Sequence, residues 1–135
     1  MLFKSYSLGE WGELSFFKKD ECCLLENQPR SYDFYGNQMI WHPKRLSNKC
    51  AYACDVEDIR YPVSPFLMKK FDQKNTQLFL ENWTQTEVLA KLRQVPILIW
   101  LKKYGLCPGS LNQNRVRVKS FFIQNKVIAL GIEAI

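Results

Sequence analysis

The closing stretch of the chain constrains its fold more than any other. "RVRVKSFFI" (115–123) and "KVIALGIEAI" (126–135) are apolar-rich runs parted only by Gln124 and Asn125. Two strand-length runs joined by a pair of turn-forming residues predict an antiparallel β-hairpin. In the first run Arg115, Arg117 and Lys119 alternate with Val116 and Val118. A strand sends alternate side chains to opposite faces, so the three cations share one face, about 6.6 Å apart. Such a ladder suits a phosphate backbone, and Arg adds a planar fork that binds phosphate bidentately. Lys126, just past the turn, extends the ladder at the hairpin tip, and "PGSLNQN" before it adds Ser110, Asn112, Gln113 and Asn114 as uncharged hydrogen-bonding groups. The competing reading is an edge strand kept basic to prevent aggregation.

The first sixty residues also predict strands. "GELSFFKK" (12–19) and "CCLLEN" (22–27) read as a hairpin about Asp20 and Glu21. "YDFY" and "QMIW" flank Gly36-Asn37, a tight-turn pair. In "CAYACDVEDIRY" (50–61) Cys50, Tyr52, Cys54 and Val56 recur with period two. The middle of the chain changes character. "SPFLMKKF" (64–71) sets Pro65 at the first position of a short helix. "DQKNTQ" reads as a polar break, after which Thr84 and Glu87 form a capping box that starts a helix over 82–94. Pro96 ends that helix near Gln94 and opens the next, "PILIWLKKYG" (96–105). This segment is apolar almost all round until Lys102 and Lys103, which predicts a helix held against the core and capped by Gly105. The expected architecture is a single α+β domain over 1–135, with an antiparallel β-rich N-terminal half, two or three central helices and a C-terminal β-hairpin.

Charge is unevenly placed. Residues 1–83 carry eleven Lys and Arg against eleven Asp and Glu, whereas residues 84–126 carry eight cations against Glu87 alone. A neutral front and a basic back point to an anionic partner, nucleic acid being the commonest. No window holds the roughly 18 apolar residues of a membrane span, and the N-terminus has no signal-peptide pattern. With five cysteines, an odd number, the expectation is reduced thiols in a cytoplasmic setting, away from membranes.

"WHPKRLSNKCAYAC" (41–54) holds the only histidine, His42, with Cys50 and Cys54. On a strand the two thiols lie about 13 Å apart, too far for one ion. Cysteine catalysis through His42, with Cys22, Cys23, Cys50, Cys54 or Cys107 as thiol and Asp55 or Asp58 as orienter, has no local signature behind it. "DVED" (55–58) reads as a solvated acidic turn. No P-loop, dinucleotide turn or nucleophile elbow is present, and no metal or cofactor is expected. Helices followed by a hairpin invite comparison with a winged helix, but a recognition helix needs polar groups in its first turns, and Ile97-Leu98-Ile99-Trp100 supplies none.

The sequence therefore points to a small basic binding module without catalysis, or an accessory subunit, that engages nucleic acid or a nucleoprotein complex. Its expected contacts are Arg115, Arg117, Lys119, Lys126, Lys102, Lys103, Lys44 and Arg45, with Tyr104 as the stacking ring. The alternative is a protein-interaction module of the immunity or anti-defence type, docking through Trp11, Trp41 and Trp83. A His/Cys-dependent enzyme is the third reading. Whether the basic turn Lys44-Arg45 lies beside Arg115 and Arg117 decides if these cations form one surface.

Overall fold

A computed structural model describes residues 2–21, 27–60, 63–106 and 115–135. Strands β1 (Leu2–Ser7), β2 (Glu13–Phe17), β3 (Arg30–Tyr32) and β4 (Gln38–His42) form one sheet in the order β1-β2-β4-β3. Strand β5 (Cys50–Asp58), helices α1 (Pro65–Lys70), α2 (Thr76–Leu92) and α3 (Ile97–Tyr104), and strands β6 (Val116–Ile123) and β7 (Lys126–Ala134) follow. The second sheet has the order β5-β7-β6, and every strand pair in both sheets is antiparallel. The molecule is an α+β fold that closes on the β6–β7 hairpin.

The second sheet is the middle of three layers. Cys54, Val56, Ile128 and Leu130 leave one face to meet Leu14, Phe16, Met39 and Trp41 of the first sheet. Ala53, Val116 and Ala129 leave the other face to meet Val88, Leu89 and Leu92 of α2 and Trp100 of α3. Burial on both faces explains why central β7 reads as a continuous apolar run, Val127 to Leu130, rather than an alternating one. Helix α2 comes so close to β7 at Gly131 that a Cβ there would overlap the Val88 side chain.

Three local expectations are corrected. The expected strand 12–19 shortens to β2, and its two edges are taken by β1 and β4. Lys19–Glu21 is a single 3-10 turn, and residues 22–26 lie outside the described residues. Helix α2 begins not at Thr84 but inside the expected break, where the Asn75 side chain accepts from the Leu78 N–H at 2.9 Å. The earlier start buries Phe79 and Leu80 against Val127. Thr84 and Thr86 are instead buried mid-helix, and their hydroxyls donate to the carbonyls of Glu81 and Asn82.

Helix α3 is the third correction. Only Trp100 is fully buried, while Leu98 is 76% and Ile99 58% exposed. An apolar composition all round did not bring burial all round, because α3 covers an edge of the middle layer and one side of it faces solvent. Pro96 and Gly105 act as expected: α2 stops before the proline, and the Gly105 N–H caps Leu101 with φ +72°. Among the described residues no helix is long and apolar enough to cross a membrane.

Candidate nucleic-acid interface

The turn after β4 carries Lys44 and Arg45, and three features hold it. Gly12, at φ +89°, lies against His42, Pro43 and Lys44 so tightly that any side chain would overlap their backbone. Trp41 Nε1 donates to the Trp11 carbonyl at 2.6 Å, tying β4 to the turn before β2. The Tyr52 hydroxyl donates to the Arg45 carbonyl and accepts from the Ser47 N–H, both at 2.9 Å. The two cations therefore leave a clamped backbone, which lowers the entropy lost when a ligand orders them.

Tyr52, Ile132 and Arg117 lie in register on neighbouring strands β5, β7 and β6. Two inter-strand spacings, about 10 Å in all, therefore separate the strand that clamps Arg45 from the strand that carries Arg117. Lys44, Arg45, Tyr52, Ile132 and Arg117 line one cleft of about 490 Å³, with Trp11 and Trp41 against its floor. The Arg117 guanidinium sits 5.1 Å from the Trp11 ring centre and 3.5 Å from the Glu10 carboxylate. Both charges are exposed, so that ion pair is weak and competes poorly with an arriving phosphate. Three cations against Glu10 leave the cleft positive. Lys119 continues the same face of β6, two residues beyond Arg117, with its ammonium 5.4 Å from the Phe121 ring.

The other expected contacts are dispersed. Arg115 is exposed at the start of β6, and its Nε and Nη2 donate to the Ala134 carbonyl at 3.2 and 2.7 Å. Lys126 does not extend the ladder. Its ammonium is largely buried between Asp33 and Asp58, 3.3 Å from the latter, where neutralising two buried carboxylates outweighs exposure at the hairpin tip. Lys102 and Lys103 occupy the last turn of α3. Because α3 packs with Val116, and Val116 and Arg117 leave opposite faces of β6, these lysines are not on the cleft side. The aromatic Tyr104 goes with them, half-exposed and tilted against Trp100 at 4.6 Å. Ser110, Asn112, Gln113 and Asn114 lie outside the described residues. Glu10, Gly12 and Tyr52 had no signal as site residues in the sequence, since each acts only across the fold.

The chemical alternatives fare as follows. Cys54 is buried in the inter-sheet core, and burial pushes its thiol up to about 12, far from a reactive thiolate. Cys50 borders the cleft as a free thiol, whereas His42 hydrogen-bonds Ser15 at 3.1 Å beside a separate depression with Glu13. Cys22, Cys23 and Cys107 lie outside the described residues. Among the described residues no three His, Cys, Asp or Glu side chains are grouped to hold a metal ion.

"DVED" is not a solvated turn. It lies within β5, with Asp55 and Asp58 buried. Asp55 accepts from Ser31 Oγ at 3.1 Å and from Lys91 at 3.3 Å, while its second oxygen has no partner among the described residues. Burial raises its carboxyl to about 7 despite the pull of Lys91. Burial, reinforced by Asp55 and Glu87, raises Glu57 to about 8. Asp58 shifts the other way, held below the usual carboxylate range by hydrogen bonds from Arg60.

Of the three aromatic anchors of the protein-docking alternative, Trp11 and Trp41 are buried and Trp83 is half-buried. Trp11 and Trp41 belong to the inter-sheet core, and Trp83 stacks on Phe79 at 5.8 Å in the cluster beneath α1. The cluster of Lys44, Arg45, Arg117 and Lys119 on one side of the middle sheet is what the fold adds to the sequence. No family model, no curated protein and no solved structure matches the chain.

Proposed function

We propose that the protein is a small binding module without catalysis that engages nucleic acid, alone or as an accessory subunit of a nucleoprotein complex. The contacts are Lys44, Arg45 and Arg117 around the cleft and Lys119 beyond it. One observation carries this reading: cations more than seventy positions apart in sequence line a single cleft, Lys44 and Arg45 on a clamped turn and Arg117 on the far strand. A cleft of about 490 Å³ admits a nucleotide or two of a single strand rather than a duplex. The floor rings are buried, so phosphate contact rather than base stacking supplies the affinity, and sequence preference is slight. The free thiols of Cys50 and Cys54 fit a reducing, cytoplasmic setting.

The test is a salt titration of binding to a labelled single-stranded oligonucleotide and to its duplex. Neutralising three or four phosphates gives a log–log slope of about −2 to −3 for the single strand. The pair Lys44→Gln and Arg45→Gln lowers the steepness by about 1 to 2. Arg115→Gln, outside the cleft, changes it less. Binding that is absent at low salt, or indifferent to salt, would overturn the reading.

A further inference from the structure

The outer face of α3 is apolar in its first turn and basic in its second. Leu98 and Ile99 stand 76% and 58% exposed, and Lys102 and Lys103 follow one helical turn later. Between α3 and the segment that joins it to α2 runs a groove of about 280 Å³, floored by Val95, Ile99, Trp100 and Tyr104. Arg93 and Lys103 stand at its rim. Arg93 is already paired with Glu133 at 2.7 Å, whereas Lys103 lies 5.2 Å from the Tyr104 ring and neither it nor Lys102 forms an ion pair with a described carboxylate. Adjoining exposed apolar side chains rimmed by polar ones are what a contact surface presents.

We propose that this face docks an acidic, amphipathic segment of a partner protein. An apolar side chain of the segment enters the groove between Val95, Ile99 and Tyr104, and its carboxylates meet Lys102 and Lys103. Charge complementarity and shape select this occupant. A second copy docked face to face through α3 would bring Lys102 and Lys103 no carboxylate, because residues 93–106 contain none. Nucleic acid gains nothing from Leu98 and Ile99, which offer no hydrogen bond to a phosphate or a base edge. A membrane surface favours protruding apolar groups such as Leu98, whereas Ile99 lines a concavity that receives a side chain. The docking face lies across the middle sheet from the cationic cleft and is independent of what the cleft binds.

The experiment is selection of a displayed random-peptide library on the full chain, followed by affinity measurement with the enriched peptides. Peptides that combine Asp or Glu with Leu, Phe or Trp are expected. Ile99→Ser and the pair Lys102→Glu and Lys103→Glu each weaken them by about tenfold or more. A peptide with its acids changed to Lys regains binding to the Glu pair. Leu98→Ser, at a still more exposed position, serves as a second apolar variant, and an unchanged thermal melt shows that each variant folds. Enrichment of basic peptides, or affinity untouched by these substitutions, overturns the proposal. It is overturned equally if Ile99→Ser instead abolishes self-association, oligonucleotide binding or binding to vesicles containing phosphatidylserine.

Discussion

Single residues divide into those whose role follows from chemical type and those whose role follows from neighbours. Lys126 belongs to the second kind, a cation that reads as a phosphate contact but neutralises Asp33 and Asp58. Removing one partner of a buried pair strands the others, so Lys126→Met should cost about 3 to 5 kcal/mol. Denaturant unfolding is expected to show that loss, with the salt slope of any ligand binding unchanged in the remaining folded protein. Asp55 and Glu57 make the molecule pH-sensitive. Their folded carboxyls titrate near 7 and 8, above ordinary values of 3.8 and 4.5. The folded state therefore holds more protons than the unfolded chain, and stability present below about pH 4 is lost as pH rises to 8. Asp58, held low, acts in the opposite direction, and its contribution disappears only as pH falls below the ordinary carboxylate range. The melting temperature of the Asp55→Asn variant should fall less between pH 5 and pH 8 than that of the natural protein. An identical fall would show that Asp55 does not bury its charge.

Elements were legible where the pattern is local. The β6–β7 hairpin and β5 follow from period-two alternation and a two-residue turn, which need no distant partner to be recognised. Helix boundaries were less so. The Thr84–Glu87 pair read as the start of α2, but Asn75, inside the expected polar break, caps the helix, because the earlier start buries Phe79 and Leu80. Asn75→Ala should destabilise the fold by about 1 kcal/mol through the lost cap. Thr84→Ser, which keeps the hydroxyl that bonds Glu81 but loses a buried methyl, should cost about as much by another route, roughly 1 kcal/mol. Only the first variant would raise hydrogen exchange at the Leu78 amide. Helix α3 shows the converse, since its apolar letters read as a helix held against the core and did not tell that Leu98 and Ile99 would face solvent.

At the scale of the whole molecule, the middle sheet decides what is core and what is interface. Its two buried faces leave no room at Gly131, so Gly131→Ala should cost about 1 to 3 kcal/mol as Val88 is displaced, read as a lowered denaturation midpoint with an unchanged slope. The sequence by itself determined the α+β class, the closing hairpin, the order of helices after strands and the common face of Arg117 and Lys119. Each of these rests on contacts between near neighbours in the chain. Only the tertiary structure decided that Lys44 and Arg45 share a cleft with Arg117, that Asp55 and Asp58 of β5 are buried with Lys126 drawn in beside Asp58, and that Lys102 and Lys103 lie on the opposite side. Those outcomes depend on which strands pair and which faces are covered, and both are settled by the global burial of apolar surface rather than by any local spacing.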